Sequence, residues 1–430
     1  MLTTLLPRPG RVPLQQPGRA PLQQHVRAPL RQHIRAPLQQ HVRAAFGLAV
    51  TIAGLFACSR AAAEPPVISP RPAPTGLAEA PEVHVSSDIS TKPAVAQPLD
   101  ARQRALFLAP AADEPAAELG GVTEARKGQH YVTGNERTLE AFYPRIHELG
   151  GAYVGVGSDQ AYVLLGWSRA ELAWLIDYDP VVVELHAVYH ALFAAAATPE
   201  RFLALWQREH KADAIAALHA AYPGELGRRR EALFRQYRAR VAKRLGELQS
   251  TMSAAAVPSF LNGIDEYTYV RGLIQAGRVR ALLADLGRDG AVREVAAAAR
   301  RLGTPVRVVY LSNAEQYWEL LPPAFRTNLA ALPVDERSVV LRTLLTWETN
   351  KDYRYNAQPA RNYQRWLAIP WVETIYDVVR RKHITAPGDD LFETTDLPDA
   401  ARLRRRSERR AQARLQLAEQ PLSEQPPPAL

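Results

Sequence analysis

The chain has 430 residues, of which 53 are Lys or Arg and 44 are Asp or Glu, so its formal net charge is +9. A hydrophobic content of 47% is ordinary for a globular protein and too high for a chain that stays unfolded. The single cysteine, Cys58, excludes an internal disulfide and any metal site built from several cysteines.

The positive charge is concentrated at the two ends of the chain. Residues 1–43 contain seven Arg and no acid, and residues 402–414 contain seven Arg and one Glu. These segments account for 7 and 6 positive charges, which leaves a net charge of −4 on the rest. A mildly acidic remainder does not favour a phosphate-binding groove, so we expect no nucleic-acid partner.

Residues 1–43 form a low-complexity segment in which an eight-residue unit, such as RAPLQQHV, recurs. The Pro in each unit interrupts a helix, and each unit has too few apolar residues to form a core. Two interpretations stay open: a disordered basic arm, or an upstream repeat translated from a start that was assigned too early. The signal-like pattern that follows favours the second interpretation.

Residues 44–58 have the pattern of a secretory signal peptide. Arg43 precedes a charge-free run, AAFGLAVTIAGLFA, which is followed by Cys58. This run is shorter than the about 20 apolar residues that span a membrane. Residues 55–58 (LFAC) resemble the bacterial lipobox, in which the cysteine is lipidated. We therefore expect a cell-envelope lipoprotein that is anchored to the membrane at Cys58 and faces the periplasm. The alternatives are a short buried apolar helix and, if the signal is not used, a cytoplasmic protein.

Two further segments are predicted to lie outside the folded domain. Residues 59–113 are rich in Pro and small polar residues and are predicted to be an extended linker. Residues 385–430 lose periodic apolar character and are predicted to be a disordered basic tail, with a short basic helix near 400–417. The domain itself is then expected at residues 114–384.

Strands and helices alternate within this domain. Strands are predicted at 152–156, 172–176, 279–284, 306–311 and 338–347, and helices at 181–195 and 290–302. Helices between strands argue for a mostly parallel sheet with right-handed crossovers. The predicted fold is therefore α/β and Rossmann-like, with a helical insertion at 198–277 whose Arg-rich face is expected to be solvated.

Polar and glycine residues follow the predicted strands where a parallel sheet places its ligands. Gly155, Gly157 and Ser158 form a turn in which backbone N–H groups can approach a ligand. Asp177 follows Gly157 by 20 residues, the spacing of an acid that binds ribose hydroxyls. The same rim should hold Asp285 and residues 312–315.

Three other residue pairs have weaker patterns. His186 and His190 are four residues apart on one helix, but no third ligand accompanies them, so no metal is expected. Asn135 and Glu136 are predicted either to cap a helix or to close over the cleft, with capping favoured. Glu315 precedes Tyr317 and could bind a cationic or ring-bearing ligand, or the aromatic ring could simply pack in the core.

These motifs resemble the class I S-adenosylmethionine-dependent methyltransferases, and more closely an uncharacterised bacterial lipoprotein family that shares the segments GVGSDQ, LIDYDP and YLSNAE. The resemblance covers residues 150 to about 347. It implies that S-adenosylmethionine is the cofactor and assigns the residues as follows. Gly155, Gly157, Ser158 and Asp159 would hold the amino-acid end of the cofactor, Asp177 its ribose and Asp285 its adenine, while Ser312, Asn313, Glu315 and Tyr317 would form the acceptor loop.

Two functions are compatible with these expectations. The first is a methyltransferase-like protein that binds a nucleotide-like or other small ligand at the rim. The second is a non-catalytic binding or scaffolding protein whose helical insertion contacts a protein partner. The predicted export is in tension with the first function, because S-adenosylmethionine is made and kept in the cytoplasm.

Overall fold

The computed structural model describes residues 96–120, 126–346, 352–386 and 391–419, with side chains up to residue 416. These residues belong to one compact unit. The predicted basic repeat, the signal segment and Cys58 lie outside the described residues.

The described chain alternates between strands and helices. The strands are β1 (Ala152–Val156), β2 (Leu172–Asp177), β3 (Val279–Leu283), β4 (Val306–Tyr310), β5 (Val339–Leu345), β6 (Tyr353–Pro359) and β7 (Phe392–Glu393). The α-helices are α1 (Ala101–Leu108), α2 (Tyr143–Ile146), α3 (Asp159–Ser168), α4 (Pro180–Ala195), α5 (Pro199–Trp206), α6 (Lys211–Ala221), α7 (Glu225–Ala254), α8 (Ile264–Gln275), α9 (Ala291–Arg301), α10 (Pro323–Ala331), α11 (Ala360–Leu367), α12 (Ile375–Val378), α13 (Arg381–Ile384) and α14 (Ala400–Glu419).

The strands form one seven-stranded sheet in the order β3-β2-β1-β4-β5-β6-β7. The first five pair in parallel, and β6 pairs antiparallel with β5. This confirms the predicted α/β fold with a mostly parallel sheet, and the strand order is that of Rossmann-like sheets. The order reverses between β1 and β4, the switch point at which such sheets bind ligands beyond the carboxyl ends of their strands.

Alternating side chains of the strands supply two separate cores. In β2, Trp174 and Ile176 pack on the face covered by α9, α10 and α11, whereas Ala173 and Leu175 pack on the face covered by α3 and the insertion. Because successive strand residues point to opposite faces, burial on both sides requires near-continuous apolar strands. Both faces of the sheet are covered by packed side chains. A ligand site is therefore expected at the carboxyl ends of the strands.

The predicted helical insertion is confirmed as α5 to α8, between β2 and β3. Helix α7 has 30 residues and buries a stripe at helical spacing that includes Phe234, Val241, Leu245 and Leu248. The prediction that the arginines of this helix are solvated holds only in part. Arg244 lies within the apolar stripe and is buried.

The predicted linker and tail both extend too far into the folded part. Helix α1 lies within the predicted linker, where Phe107 is buried against Trp174 with ring centroids 4.9 Å apart. Within the predicted tail, β7 pairs with β6, and α14 buries Leu403. The predicted basic helix near 400–417 is thereby confirmed. None of the described helices is long and apolar enough to cross a membrane.

Candidate functional site

The site begins at the glycine turn between β1 and α3, which lies at the switch point. Gly157 has a φ of +90°, a conformation that favours glycine. A β-carbon added at Gly157 would lie 2.1 Å from Gln160 Nε2, and one added at Gly155 would lie 2.2 Å from the Tyr153 hydroxyl oxygen. The space beside both glycines is therefore occupied by side chains of the same segment.

Asp177 at the end of β2 is hydrogen-bonded to this turn. Its Oδ2 accepts from the Gly157 backbone N–H at 3.1 Å, and its Oδ1 accepts from the Asp179 N–H at 2.9 Å. Burial, together with the charge of Asp179, raises the pKa of Asp177 to about 7, although the backbone hydrogen bonds oppose the rise. The sequence spacing of 20 residues thus reflects a direct contact between turn and acid, and Asp177 as a residue is half-buried.

Asp159, the first residue of α3, lies in a buried ion pair. Arg244 Nε donates to Asp159 Oδ2 at 2.9 Å, and the Gly134 N–H donates to Oδ1 at 2.6 Å. The Ser158 hydroxyl has one proton for two acceptors within reach, the Val132 carbonyl oxygen at 3.0 Å and Asp159 Oδ1 at 3.2 Å. Ser158 and Asp159 were predicted to contact the cofactor together with the glycines. In the structure their side chains bond to other parts of the same chain.

Residues 130–138, which we call the strap, cross the carboxyl ends of the strands. At one end His130 Nδ1 bonds to the Asp179 carboxylate at 2.9 Å. In the middle, Glu136 Oε1 accepts from the Tyr310 hydroxyl at 2.7 Å, and Tyr353 donates to Asn135 Oδ1 at 2.9 Å. The strap thus passes over β1 and β4 to the start of β6.

The strap decides between the two predictions for Asn135 and Glu136. Neither residue caps a helix; both close over the cleft. Glu136 is buried, and burial raises its pKa although Arg244 and the Tyr310 hydrogen bond lower it. The favoured prediction, helix capping, was wrong. The buried carboxylate of Glu136 needs hydrogen-bond donors, because burial removes it from water. The Tyr310 hydroxyl and the Asn135 backbone N–H supply them.

Three tyrosines lie near Asp177. Tyr178 follows it directly in the chain, and burial raises the pKa of Tyr178 to about 12, with the nearby Asp177, Tyr317, Asp179 and Tyr131 adding to the rise. Tyr317 is 38% exposed. We call Asp177, Tyr131, Tyr178 and Tyr317 the mouth.

Asp285 lies at the end of β3 and bonds to the segment that was predicted to be linker. Its backbone N–H donates to Asp113 Oδ2 at 2.9 Å, and its own Oδ1 accepts from the Gly287 N–H at 2.8 Å. The other oxygen of Asp113 accepts from the N–H of Ala291, the first residue of α9. The chain itself thus supplies the anion at the amino end of this helix.

The predicted acceptor loop is divided between the mouth and the core. Ser312, with a φ of +51°, lies 3.3 Å from the Thr343 hydroxyl, and Asn313 follows it towards the mouth. Glu315 is instead buried and forms an ion pair with Arg342, and Tyr363 donates a hydrogen bond to it. The hypothesis that Glu315 binds a cationic ligand is therefore wrong, because its charge is compensated inside the protein.

The two histidines of α4 are buried beneath the glycine turn. His186 Nδ1 bonds to the Tyr162 hydroxyl at 2.8 Å, and its Nε2 bonds to the Gly157 carbonyl oxygen at 3.0 Å. Burial lowers the pKa of His186 to about 4 and that of His190 to about 3, so both rings are neutral at pH 7. Among the described residues, no group of three or more His, Cys, Asp or Glu could hold a metal ion.

Sequence reasoning missed three of the residues that fill the site, namely Tyr153, Gln160 and Arg244. Only Arg244 left a signal, because it occupies an apolar position of the α7 stripe, between Val241 and Leu245. An arginine at a core position requires a buried acid as its partner. The contact between Arg244 and Asp159 spans 85 residues, so the sequence alone does not identify that partner.

The chain thus forms a Rossmann-like α/β domain with a glycine turn at the switch point, an acid at the end of the neighbouring strand β2 and a strap across the carboxyl ends of the strands. Residues 131–396 match the model of the family described as Domain of unknown function (DUF7790), and the chain belongs to that family. The matched segment begins within the strap and ends just after β7, so it contains the glycine turn, Asp177 and the strap except His130. No curated protein matches the chain.

Proposed function

We propose that this domain binds a small ligand with a ribose-like diol at the mouth, with S-adenosylmethionine as the first candidate and methyl transfer as the reaction. The observation that carries the proposal is the position of Asp177 at the carboxyl end of β2, in contact with the glycine turn that lies at the switch point. A carboxylate has about four lone-pair positions, and the two described hydrogen bonds use one on each oxygen. The remaining positions suit two neighbouring hydroxyl groups.

The residues fit such a ligand unequally along its length. Asp177 and the tyrosines of the mouth suit a ribose and a ring, because aromatic side chains stack on flat heterocycles. At the glycine turn the fit requires the Gln160 side chain to swing away from Gly157, where it now lies. S-adenosylmethionine would supply the methyl group, and the chain's part would be to bind the ligand and to align an acceptor near Ser312, Asn313 and Tyr317.

Calorimetry of the full chain with S-adenosylmethionine and S-adenosylhomocysteine tests this proposal. We expect saturable binding that Asp177→Asn weakens about 10- to 100-fold, since a hydrogen bond to a charged group contributes about 1.5–3 kcal/mol. Asp289→Asn is the matched control, because Asp289 is an exposed acid near the end of β3 that pairs only with Arg293 among the described residues. Absence of binding, or equal affinities of the two variants, would overturn the cofactor assignment.

A second candidate, a non-catalytic binding or scaffolding protein, is favoured by the strap and by the side chains beside Gly155 and Gly157. In this case the helical insertion contacts a protein partner.

Deleting the insertion is a poor test, because Arg244 joins it to the core. The sharper test is a pull-down with Arg228→Glu, Arg235→Glu and Lys243→Glu together, which changes exposed side chains of α7. A partner set that is unchanged by these substitutions counts against the scaffolding role.

We propose further that the mature protein is an envelope lipoprotein that begins at Cys58 and faces the periplasm. The charge-free run before Cys58 supports this localisation. Mass spectrometry of the protein from its native membrane tests it. An acylated Cys58 at the amino terminus supports anchoring and makes a cytoplasmic cofactor improbable, whereas an intact Met1 points to a cytoplasmic protein.

A further inference from the structure

Helix α14 has two sides of different character. Its inner side packs on the domain: Leu403 is buried, Arg406 pairs with Asp377 at 3.2 Å, and Arg410 donates two hydrogen bonds of 2.8 Å to the same carboxylate. Its outer side carries exposed Arg402, Arg405, Arg409 and Gln412. The helix is therefore fixed to the domain in an orientation that turns a row of arginines outward.

The outer arginines form one row along α14. Spacings of three and four residues align Arg402, Arg405 and Arg409 along about 10 Å of the helix. All three side chains are exposed, whereas Arg406 and Arg410 turn inward to Asp377. We call exposed Arg402, Arg405 and Arg409 the basic face.

The basic face keeps a surplus of positive charge. Arg404 next to it is paired with Glu408 at 2.8 Å, and Arg380 with Asp396 at 3.1 Å. Within the part of the chain that the structure describes, no acidic side chain forms an ion pair with Arg402, Arg405 or Arg409. Like charges held this close repel one another, so an anionic partner would be favourable.

Half-buried aromatic rings and an exposed leucine accompany these charges. The Arg381 guanidinium lies over the Tyr376 ring at 4.7 Å, and that of Arg404 lies near Trp371 at 5.9 Å. Leu415, also on the outer side of α14, is 65% exposed. Tyr and Trp favour the headgroup level of a bilayer, and basic residues are attracted to anionic headgroups.

From this combination we infer that the basic face docks on an anionic lipid surface. The exposed Leu415 and the half-buried Tyr376 and Trp371 near this row favour a lipid surface over a nucleic-acid backbone, which offers such apolar and aromatic groups no matching layer. The face is separate from the mouth and goes beyond the proposed ligand-binding function, so either proposal can fail without the other. It would hold the domain against a membrane in a defined orientation.

A local fluorescence measurement tests the docking in the full chain. Because Cys58 is the only cysteine, Cys58→Ser with Gln412→Cys allows an environment-sensitive dye to be placed on the basic face. The same dye at Ala232→Cys, on an exposed position of α7, is the control. Local dyes are needed because the seven arginines of residues 1–43 would also attract anionic vesicles.

We expect phosphatidylglycerol vesicles to shift the emission of the residue-412 dye at low salt, and phosphatidylcholine vesicles or high salt to abolish the shift. Arg402→Gln, Arg405→Gln and Arg409→Gln together should weaken the apparent affinity by about 100-fold. The control set Arg228→Gln, Arg235→Gln and Lys243→Gln removes as much charge from α7 and should leave the affinity unchanged. The inference is overturned if the residue-412 dye does not respond to anionic vesicles, if both triple variants behave alike, or if duplex DNA displaces the vesicles at equal phosphate concentration.

Discussion

The guanidinium of Arg244 lies against the carboxylate of Asp159, with Nε 2.9 Å from Oδ2, and both side chains are buried. The contact joins the helical insertion to the first residue of α3 after the glycine turn. Arg244 also donates to the Glu136 carbonyl oxygen at 2.9 Å, so one side chain links the insertion, the turn and the strap. Burial works against the charge of Arg244, but Asp159 and Glu136 raise its pKa above the ordinary value.

Removing Arg244 should therefore destabilise the whole domain. Arg244→Met leaves Asp159 buried without its partner, which should lower the free energy of unfolding by about 3–5 kcal/mol. Urea unfolding followed by tryptophan fluorescence measures this loss. Lys243→Met on the exposed side of the same helix is the control, and Arg244→Met with Asp159→Asn should recover part of the loss. If Arg244→Met and Lys243→Met have equal stabilities, the buried pair does not hold the insertion to the turn.

The glycine turn allows a second test, in which backbone strain is separated from side-chain contact. Gly157 and Gly303 both have positive φ, +90° and +67°, but only Gly157 has a side chain within reach of an added β-carbon. Gly303→Ala should cost about 1 kcal/mol from backbone strain alone. Gly157→Ala should cost about 1–3 kcal/mol more, because its methyl group would overlap Gln160.

Thermal unfolding of the two variants measures the difference. Gly157→Ala with Gln160→Ala should bring the cost back towards that of Gly303→Ala, since the overlapping amide is then gone. An unchanged cost in the double variant would show that Gln160 is not the obstacle. Gln160→Ala alone, which keeps Gly157, clears the space that the proposed cofactor needs beside the turn.

The strands were predictable because their apolar runs are continuous. Strand β1 was predicted with the observed bounds, and β2 ended one residue later than predicted, at Asp177. By contrast, β6 was missed because the polar residues Asn356 and Gln358 interrupt it, yet their side chains bind buried Arg342 at 3.1 and 2.9 Å. A strand that faces a buried charge does not have the apolar alternation by which strands are recognised.

The site was less predictable than the sheet, for a related reason. Asp177 was found because its spacing from Gly157 is short and fixed by the β-α-β unit. For the strap, closure over the cleft by Asn135 and Glu136 was only the less favoured prediction, because their partners Tyr310 and Tyr353 lie more than 170 residues away. Sequence patterns report local periodicity, whereas the closure of this cleft depends on contacts between distant segments.

Asp177 gives the domain a pH dependence whose sign follows from its pKa. The pKa of Asp177 is about 7 in the folded protein, whereas its ordinary value, which applies to the unfolded chain, is 3.8. The folded state therefore binds the proton more tightly. The contribution of this group to stability is complete below about pH 4 and is lost as pH rises through 7. Between these two pH values, each unit of rising pH should lower the free energy of unfolding by about 1.4 kcal/mol through Asp177.

Asp177→Asn should remove this contribution, because an amide does not titrate. The difference in unfolding free energy between wild type and Asp177→Asn should therefore change between pH 4.5 and 7.5, in favour of the variant at the higher pH. His186 and Glu136 titrate in both proteins and cancel in the difference. A difference that stays constant across this range would contradict the raised pKa.

The attachment of α14 depends on Asp377, whose side chain is 0% exposed. Burial opposes its charge, but the hydrogen bonds and charge of Arg410 lower the pKa of Asp377. Asp377→Asn keeps an oxygen to cap α12 but removes the charge that pairs with Arg406 and Arg410. We expect α14 to detach while the sheet stays folded, because its buried anchor on the apolar side is Leu403 alone among the described side chains of the helix.

Limited trypsin digestion measures this detachment, since α14 carries arginines from 402 to 414. Cleavage after these residues should be at least about tenfold faster in Asp377→Asn than in wild type, because proteolysis follows the population of the open form. Asp396→Asn is the control, as its pair with Arg380 is exposed. Acid should also favour detachment of α14. The charge of Asp377 stabilises the attached state above about pH 4, and this stabilisation is lost as pH falls through the lowered pKa of Asp377. Equal cleavage of both variants would show that the charge of Asp377 does not hold the helix, and that Leu403 and the bonds of Arg410 and Ser407 to Glu373 suffice.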